Sequence, residues 1–558
     1  MYLLGTHRSI VQRLRLSTNH QLGAGNFFWH VCAVARDLDR PILFRATADG
    51  LEGLSLRALR DRVLRYANWY EENGVGVGTR VGVYTVDGLL GALHHIAITS
   101  LGGITVLTNP NMDPMVAARY FRRTNTTTLV ADASRIVAVN SAVDGSWDDT
   151  ARMTTADMST VEREAASAPV TVVHRHRHAR DDLVLISHSS GTTGEPKPTA
   201  FAHHSFSIGK RERLWKFPSA TTDRMVTTLP HSHSSGISYL SLAMMLGLPT
   251  LMVDNPSGAA VAAAMNTFRP TVVIGFPLSL ADLPIDALSV PAKETVHTWM
   301  GMGDASHERH IRPLVALGSH GSTYVDGLGS SEMGMVLFRH AHTPRSARYG
   351  RIIGRPVRVV KRAAVLDERG NEVPDGQAGL LGVLTPSITP GYVNTPELNA
   401  QARSSGYFLT GDVVRRDADG TWYHLDRTPD TISTTAGPVY SLPLEEIVLT
   451  ETGAFDAAVV AVNDPVSDNQ SRPIAVVLFK DGVAAPEVVL ERCNAALERA
   501  GMAELAAVVV AEDRVALPVG VTGKVLKRVL RERHQYLLSE SARPGTAIDR
   551  RLTTTATE

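Results

Sequence analysis

Short apolar strands alternate with helical segments along much of this 558-residue chain. The helical stretch "GAAVAAAMNTF" (258–268) is followed by the strand-like run "TVVIGF" (271–276). Between residues 56 and 84, apolar residues recur at helical spacing, a Gly-rich "NGVGVG" stops the helix, and a β-rich run begins at Val81. Such alternation is typical of parallel sheets covered by helices and predicts an α/β fold.

The length exceeds what one hydrophobic core usually holds, so we expect two or more domains. A boundary is predicted near "DRTPDTISTTAG" (426–437), where Pro, Gly and Thr cluster. A smaller segment follows to about residue 540. The polar tail, 541–558, is predicted to be disordered.

Composition excludes several classes of protein. Lys+Arg and Asp+Glu both number 56, so no global charge favours nucleic acid or an anionic membrane. The two cysteines are far apart, which fits a reducing cytoplasm. The longest apolar run, 237–253, contains Gly247 and Pro249 and is short for a membrane span, so it predicts a buried helix followed by a strand.

The segment "VHRHRHARDD" (173–182) contains three histidines. Its alternating arginines would repel a cation, and no carboxylate or cysteine spacing supports a metal site. We expect a solvated surface segment.

The stretch "SSGTTGEPK" crowds hydroxyls and flexible backbone before a lysine, Lys197. Glycines let backbone N–H groups converge, hydroxyls add donors, and a lysine supplies charge, as phosphate binding requires. The order of residues differs from the Walker pattern. A Ser/Thr/Gly surface loop is the alternative. The candidate phosphate-binding residues are Ser189, Ser190, Gly191, Thr192, Thr193, Gly194 and Lys197.

Several ordered motifs make the chain, from about residue 20 to 536, resemble the adenylate-forming superfamily of acyl-CoA synthetases, luciferases and nonribosomal adenylation domains. Besides "SSGTTGEPK", they are "LPHSHSSG" (229–236), "GLGSSE" (327–332), "YFLTGDVVRRDADGTWYHLDR" (407–427) and "TGKVLKRVLRE" (522–532). The resemblance implies a large N-terminal domain of packed mixed and parallel sheets with helices (1–426), a hinge (427–437) and a small, mobile α+β C-terminal domain (438–540).

The resemblance also implies roles for individual residues. Lys524 would grip the carboxylate and the α-phosphate as charge develops on phosphorus. Glu332 would hold Mg²⁺ shared with the ATP phosphates. Asp412 would accept the ribose hydroxyls, and Arg427 would reach ribose or phosphate. The alternative for Lys524 is one more cation in a basic helix start with Lys527 and Arg528. The alternatives for Glu332, Asp412 and Arg427 are a surface carboxylate, a turn aspartate and an interdomain salt bridge, respectively.

His233 corresponds to the family histidine between the carboxylate and thiol sites, although His231 lies close by. Gly301 and Gly303 of "WMGMGDAS" would let the backbone approach adenine, and Asp304 departs from the usual proline there. The motif of Glu332 adds Gly329, Ser330 and Ser331 as nucleotide contacts, and Gly437 is the expected contact to coenzyme A (CoA).

The segment "HSHSSGIS" lacks the carboxylate that amino-acid-activating members use, so an α-amino acid is not the expected substrate. A pocket for a bulky apolar acid is predicted around Gly236, Gly275, Phe276 and Met302, with room left by the small residues Gly236, Gly275 and Gly303. CoA is the expected acceptor, which makes the chain an acyl-CoA ligase that uses ATP and releases AMP. The alternatives are a stand-alone enzyme loading a carrier protein and a non-catalytic relative that binds nucleotide or acyl ligand.

Four residues depart from the family pattern. Pro198 stands where the loop continues with Gly, and Leu328 replaces the aromatic residue that stacks on adenine. Asp426 replaces a Gly, and Pro429 falls at the hinge. Since the first two touch ATP, one interpretation is that adenylation is weakened while thioester formation survives, with a partner ligase supplying the acyl-adenylate. The chain further resembles ligases of actinobacterial natural-product biosynthesis, including those acting on diterpenoid acids.

Overall fold

The computed structural model describes residues 6–23, 26–48, 50–143, 153–168, 170, 174–189, 196–217, 222–480, 485–520 and 524–541. The chain divides into two compact units. Unit 1 comprises Met1–Ser306, His310–His424 and Val521–Gly523, and unit 2 comprises His307–Arg309, Leu425–Gly520 and Lys524–Glu558.

The strands follow in chain order: β1 Pro41–Thr47, β2 Gly50–Ser55, β3 Arg80–Tyr84, β4 Ile104–Leu107, β5 Thr128–Ala131, β6 Thr154–Asp157, β7 Leu183–Ser189, β8 Lys197–Ala202, β9 Met225–Thr227, β10 Thr250–Met252, β11 Val272–Gly275, β12 Thr298–Gly301, β13 Thr323–Gly329, β14 Val336–His342, β15 Ile352–Pro356, β16 Arg362–Leu366, β17 Ala378–Leu384, β18 Gly391–Tyr392, β19 Arg403–Ser404, β20 Tyr407–Arg416, β21 Trp422–Arg427, β22 Ile432–Thr434, β23 Gly437–Val439, β24 Asp456–Asn463, β25 Ser471–Leu478 and β26 Ala507–Ala511.

The α-helices are α1 Ile10–Ser17, α2 Asn26–Val34, α3 Leu56–Glu72, α4 Gly88–Ser100, α5 Pro114–Arg123, α6 Ala133–Val143, α7 Met158–Ser167, α8 His203–Lys216, α9 Ser234–Leu246, α10 Gly258–Phe268, α11 Pro277–Ala281, α12 Val290–Thr295, α13 Glu308–Val315, α14 Pro396–Gln401, α15 Ser441–Thr452, α16 Pro486–Arg499, α17 Lys527–His534 and α18 Leu537–Ser541. Short 3₁₀ helices span Ile285–Ala287 and Thr428–Asp430.

Two mixed sheets build unit 1. One has the order β16-β17-β20-β21-β15-β14-β13-β12-β11-β9-β10-β1-β2, with β19 beside β20; the run from β13 to β1 is parallel. The other has the order β18-β8-β7-β4-β3-β5-β6 and is parallel from β7 to β6. The predicted α/β fold with mixed and parallel sheets is confirmed.

Local sequence explains the elements nearest the site. The Ser55 hydroxyl caps α3 by accepting a hydrogen bond from the Ala58 N–H at 3.2 Å. Helix α9 is buried on all sides and ends at Gly247, whose φ of +70° places it in the left-handed region. Strand β10 follows, which confirms the predicted buried helix and strand. Among the described helices, none combines the length and apolarity that a membrane span requires.

Unit 2 is α+β. Strand β25 pairs antiparallel with β24 and parallel with β26. One core lies between this sheet and α15 and α16, around Val448 and Leu497, and another lies around Leu517 and Leu530. Strands β22 and β23 form a separate hairpin.

The prediction that 173–182 is a solvated segment is wrong in part, because His178 is buried. Its ring stacks on His203 at 5.2 Å between centroids, and its Nδ1 lies 3.1 Å from the Asn26 amide nitrogen. Within the described ranges, no group of histidine, cysteine and carboxylate side chains is arranged to hold a metal ion. The histidine-rich segment therefore contributes to packing.

Candidate active site

The predicted phosphate-binding loop joins the antiparallel neighbours β7 and β8. Residues 190–195 of the loop lie outside the described residues, as does the side chain of Ser189. Pro198 is buried within β8, opposite His188, and its carbonyl accepts a hydrogen bond from the Val393 N–H at 2.9 Å. The residue before a proline favours extended backbone, and Lys197 accordingly begins the strand.

Tyr392 connects two predicted site residues. It lies on β18, which pairs with β8 so that Tyr392 faces Thr199. Its hydroxyl donates a hydrogen bond to Glu332 Oε1 at 2.9 Å. Lys197 Nζ lies 5.6 Å from the centroid of its ring, within the range of cation–π attraction. No motif marked Tyr392 in the sequence.

A tight turn presents Glu332. The Met333 N–H donates to Ser330 Oγ at 3.2 Å, and the Gly334 N–H donates to the Ser331 carbonyl at 3.0 Å. A Cβ on Gly329 would lie 2.7 Å from the Met335 carbonyl oxygen, so the strand before the turn needs a glycine there. These two hydrogen bonds close the turn around Glu332 and so fix where its side chain starts.

His233 is positioned by the start of α9, of which it is the N-cap residue. Its Nδ1 accepts a hydrogen bond from the Ser235 N–H at 3.3 Å, which leaves the Nε2–H to donate to Ser331 Oγ at 3.4 Å. The buried His188 ring lies 6.2 Å from that of His233. The structure thus joins the motifs 229–236 and 327–332 through His233 and Ser331.

Burial controls the charge of the neighbouring histidines. It lowers the pKa of His188 to about 3, with a further contribution from His233, and lowers the pKa of His231 to about 4. Both rings are therefore neutral at pH 7. His231 faces Gly88, where an added Cβ would lie 2.8 Å from its Nδ1. Of the two candidates, His233 is the one that contacts a motif residue.

The predicted pocket residues surround the ends of β11 and β12. The Met302 N–H donates to the Gly275 carbonyl at 3.0 Å, and the Tyr239 hydroxyl donates to Met302 Sδ at 3.5 Å. Phe276 and Met302 are both buried. These contacts bring α9, β11 and β12 together around apolar side chains.

The expectation that glycines leave open room in this pocket is wrong. A Cβ on Gly236 would lie 2.2 Å from the Pro230 carbonyl oxygen, and one on Gly275 would lie 2.7 Å from Thr228 Oγ1. A Cβ on Gly303, whose φ is +95°, would lie 2.9 Å from the Phe276 ring. Protein atoms already fill these positions, so the glycines permit close packing.

Gly301 and Asp304 belong to the predicted adenine turn. A Cβ on Gly301 would lie 1.9 Å from the Tyr324 hydroxyl oxygen, which in turn lies 2.9 Å from Ser306 Oγ. Asp304 Oδ1 accepts a hydrogen bond from the Ala305 N–H at 2.9 Å. An aspartate in place of the family proline therefore holds the turn with its own side chain.

Asp412, the predicted ribose ligand, is 2% exposed, and its Oδ1 lies 3.5 Å from His424 Nε2. Arg351 NH2 donates to His424 Nδ1 at 3.0 Å. Because arginine only donates, His424 Nδ1 must accept, and the ring proton is on the nitrogen that faces Asp412. His424 lies within the motif 407–427 but was given no role there, and Arg351 lies outside every motif; both were missed in the sequence.

Leu328 is 8% exposed and packs with Met333, Leu337 and Phe338. The leucine that stands at the family's aromatic position is therefore part of an apolar cluster in unit 1.

Within unit 2, Asp426 Oδ2 accepts a hydrogen bond from the Ser441 N–H at 2.6 Å at the start of α15. Lys527 lies near it and pairs with Glu445 at 2.7 Å. Lys527 is thus a half-buried member of an ion pair, although the sequence grouped it with the cations of a basic helix start. Asp426, a departure from the family glycine, anchors the helix.

Lys524 is half-buried, and its carbonyl accepts a hydrogen bond from the Gly520 N–H at 2.7 Å. Gly437 has φ of +111°, and no atom lies within 4 Å of an added Cβ. Arg427 ends β21, and Pro429 occupies the first turn of the 3₁₀ helix that follows, where a proline is tolerated. The roles of Lys524 in catalysis, of Gly437 and Arg427 in ligand binding, and of the hinge around Pro429 stay predictions.

Comparison with known proteins agrees with this arrangement. Residues 31–393 match the family described as AMP-binding enzyme. A 3-aminoavenalumate diazotase from Streptomyces sp is 36% identical over 558 residues, covering 94% of this chain and 98% of that protein. A 3-hydroxybenzoate--CoA/4-hydroxybenzoate--CoA ligase from Thauera aromatica is 26% identical, covering 87% of this chain and 93% of that protein.

Solved structures share the fold. The anthranilate CoA ligase AuaEII in complex with anthranoyl-AMP has a TM-score of 0.80 at 19% identity, covering 93% of this chain and 98% of that chain. ATP-bound MatB from Rhodopseudomonas palustris has a TM-score of 0.77 at 22% identity, covering 92% and 99%. The family match and the 36% identity to the diazotase show that the chain belongs to the AMP-binding enzymes, the adenylate-forming superfamily that includes the acyl-CoA ligases.

Proposed function

We propose that the protein is an acid–thiol ligase that activates an apolar, aromatic carboxylic acid as its acyl-adenylate and transfers the acyl group to CoA. Support comes from the family and from relatives named CoA ligases of hydroxybenzoates and fatty acids. The apolar surroundings of Phe276 and Met302 suit such an acid. A diterpenoid acid, suggested by the sequence resemblance, stays a prediction.

The observation that carries the proposal is the meeting of Lys197 and Glu332 at Tyr392. Lys197 would bind a phosphate of ATP. Glu332 offers the oxygen ligand that Mg²⁺ prefers, and the bound ion would neutralise phosphate charge. Tyr392 would keep the lysine and the carboxylate at a fixed separation, so that both address one triphosphate.

Other residues would orient the acid and the nucleotide. His233, with its Nε2–H directed to Ser331, would border the carboxylate. Asp412 would accept hydrogen bonds from the ribose hydroxyls, and Arg427 would add a cationic contact. Lys524 would stabilise the charge that develops at the α-phosphorus, and Gly437 would contact CoA through its backbone.

The weakened-adenylation interpretation is a finer form of this proposal. Pro198 supplies no N–H beside the loop, and Leu328 offers no aromatic face to adenine. If these changes misplace the triphosphate, the enzyme would use a preformed acyl-adenylate better than acid and ATP, and a partner ligase would supply that adenylate. Comparing adenylation of the acid with thioesterification of a preformed acyl-adenylate decides whether adenylation is weakened.

A second candidate function is diazotisation of an amino-substituted acid. It is favoured by the 36% identity to a protein named 3-aminoavenalumate diazotase, over nearly the full length of both chains. Making a diazo group from a primary amine requires a second nitrogen donor such as nitrite. This candidate therefore differs from the ligase in its co-substrate and in its independence of CoA.

The test incubates the protein with ATP, Mg²⁺, CoA and a panel of aromatic and aliphatic acids, and measures AMP, pyrophosphate and acyl-CoA. A parallel arm replaces CoA with nitrite and uses amino-substituted aromatic acids, with diazo products detected by mass and absorbance. Glu332→Gln should abolish turnover, whereas Glu397→Gln, at an exposed site on α14, should leave it unchanged. Diazo product without acyl-CoA would replace the ligase proposal with the second candidate.

A further inference from the structure

Helix α8 carries two buried cations on one face. Lys210 is fully buried, and Arg213, one turn later, is 3% exposed. Residues three apart on a helix are neighbours, so the two charges lie close together. No motif of the superfamily marked either residue.

Among the described residues, neither Lys210 nor Arg213 forms an ion pair with a carboxylate. Lys210 Nζ donates to the Gly23 carbonyl at 3.2 Å and lies 4.0 Å from the centroid of the Phe206 ring. Arg213 NH1 donates to Ser238 Oγ at 2.7 Å, and its Nε is buried without a hydrogen-bond partner. The intervening Glu212 is paired with Arg339 at 2.9 Å.

Arg213 connects the pair to the predicted acid pocket. The Arg213 guanidinium carbon lies 4.5 Å from the centroid of the Tyr239 ring. The Tyr239 hydroxyl contacts Met302 Sδ at 3.5 Å, and Tyr239 lies one helical turn after Gly236. Phe206, Tyr239 and Met302 belong to one apolar core. Arg213 is thus separated from Met302 by a single aromatic side chain, and Lys210 lies one helical turn before Arg213.

Keeping two cations out of water costs several kcal/mol each unless an anion compensates them. Burial also lowers the pKa of Lys210 to about 7, so an arriving anion would hold the ammonium form. The chemistry of the cluster, a lysine, an arginine and a serine hydroxyl against aromatic walls, matches an anionic oxygen on an aromatic ring.

We propose that Lys210 and Arg213 bind an anionic oxygen at the end of the substrate acid remote from the carboxylate that is activated. The group is a second carboxylate or a phenolate. This inference rests on the proposed function, since it takes the pocket beside Tyr239 to hold the acid. Helix α8 would therefore select acids that carry a polar group at the end remote from the activated carboxylate.

The test measures dissociation constants by isothermal titration calorimetry for 4-carboxycinnamate, 4-hydroxycinnamate and the neutral 4-methylcinnamate. Wild type should bind at least one of the first two at least tenfold more tightly than the methyl compound, and the better binder identifies the group. Lys210→Met should remove that preference and keep binding of the methyl compound. Lys216→Met, an exposed lysine on the same helix, should match wild type.

Lys210→Arg preserves the charge and should keep the preference, which separates the role of the cation from a folding defect in Lys210→Met. Equal affinities of wild type for the three acids, equal weakening of all three by Lys210→Met, or no binding of any to folded wild type would overturn the inference. Turnover is a separate readout. Selective binding without AMP formation would contradict the ligase proposal and leave the anion site in place.

Discussion

Replacing Tyr392 with phenylalanine removes one hydroxyl and keeps the ring. The hydroxyl donates to Glu332 Oε1 at 2.9 Å, whereas the ring contact with Lys197 and the pairing of β18 with β8 do not depend on it. A hydrogen bond to a charged group contributes about 1.5–3 kcal/mol. Since about 1.4 kcal/mol corresponds to tenfold, Tyr392→Phe should lower kcat/KM for adenylation roughly 10- to 100-fold.

The assay is ATP–pyrophosphate exchange with the best acid of the panel, over a range of ATP concentrations. Tyr392→Ala should lose roughly a further tenfold, because the cation–π contact with Lys197 is removed as well. Tyr536→Phe, whose side chain is 58% exposed, is the control and should behave as wild type.

Exchange by Tyr392→Phe within twofold of wild type would refute the reasoning that Tyr392 positions Glu332.

Four further predictions follow from the same structure. Burial opposes ionisation of Glu445, but the charge of Lys527 outweighs it and holds the pKa of Glu445 at about 2, below the free value of about 4.3. The stabilisation from this ion pair should therefore be present at pH 7 and lost as the pH falls from about 5 to about 2. Glu445→Gln should destabilise unit 2 by about 3 kcal/mol, measured by urea-dependent hydrogen exchange of α15. Pro198→Gly should raise ATP–pyrophosphate exchange, by up to about 100-fold if the proline misplaces the triphosphate, and an unchanged rate would show that the proline is tolerated. Lys524→Ala should harm adenylation of the acid more than thioesterification of synthetic acyl-adenylate, and equal losses would contradict its assigned role. Limited proteolysis should cut first within 426–440, which mass spectrometry of the fragments would verify or reject.

The sequence predicted the features that depend on local pattern. The spacing of apolar residues located α3, the longest apolar run located α9, and the alternation of strands and helices predicted the α/β fold. His233 and Ser331 come from different motifs, and their contact agrees with the shared site that the motifs suggested.

Features that depend on distant partners were not predictable in this way. Tyr392 lies far along the chain from both Lys197 and Glu332, and only the pairing of β18 with β8 brings it to them. Lys527 was grouped with the cations of a basic helix start because its partner, Glu445, lies on another helix. The glycines of the pocket were misinterpreted because the atoms that fill the space beside them belong to other segments.

The most direct test of the ligase proposal follows the oxygen atoms of the acid. Acid labelled with ¹⁸O in both carboxylate positions is incubated with ATP, Mg²⁺, CoA and the protein, and the products are analysed by mass spectrometry. If the carboxylate attacks the α-phosphorus and the thiol then displaces AMP, the AMP should carry one ¹⁸O and the acyl-CoA should keep the other. Unlabelled AMP formed together with product would contradict activation of the acid as an acyl-adenylate.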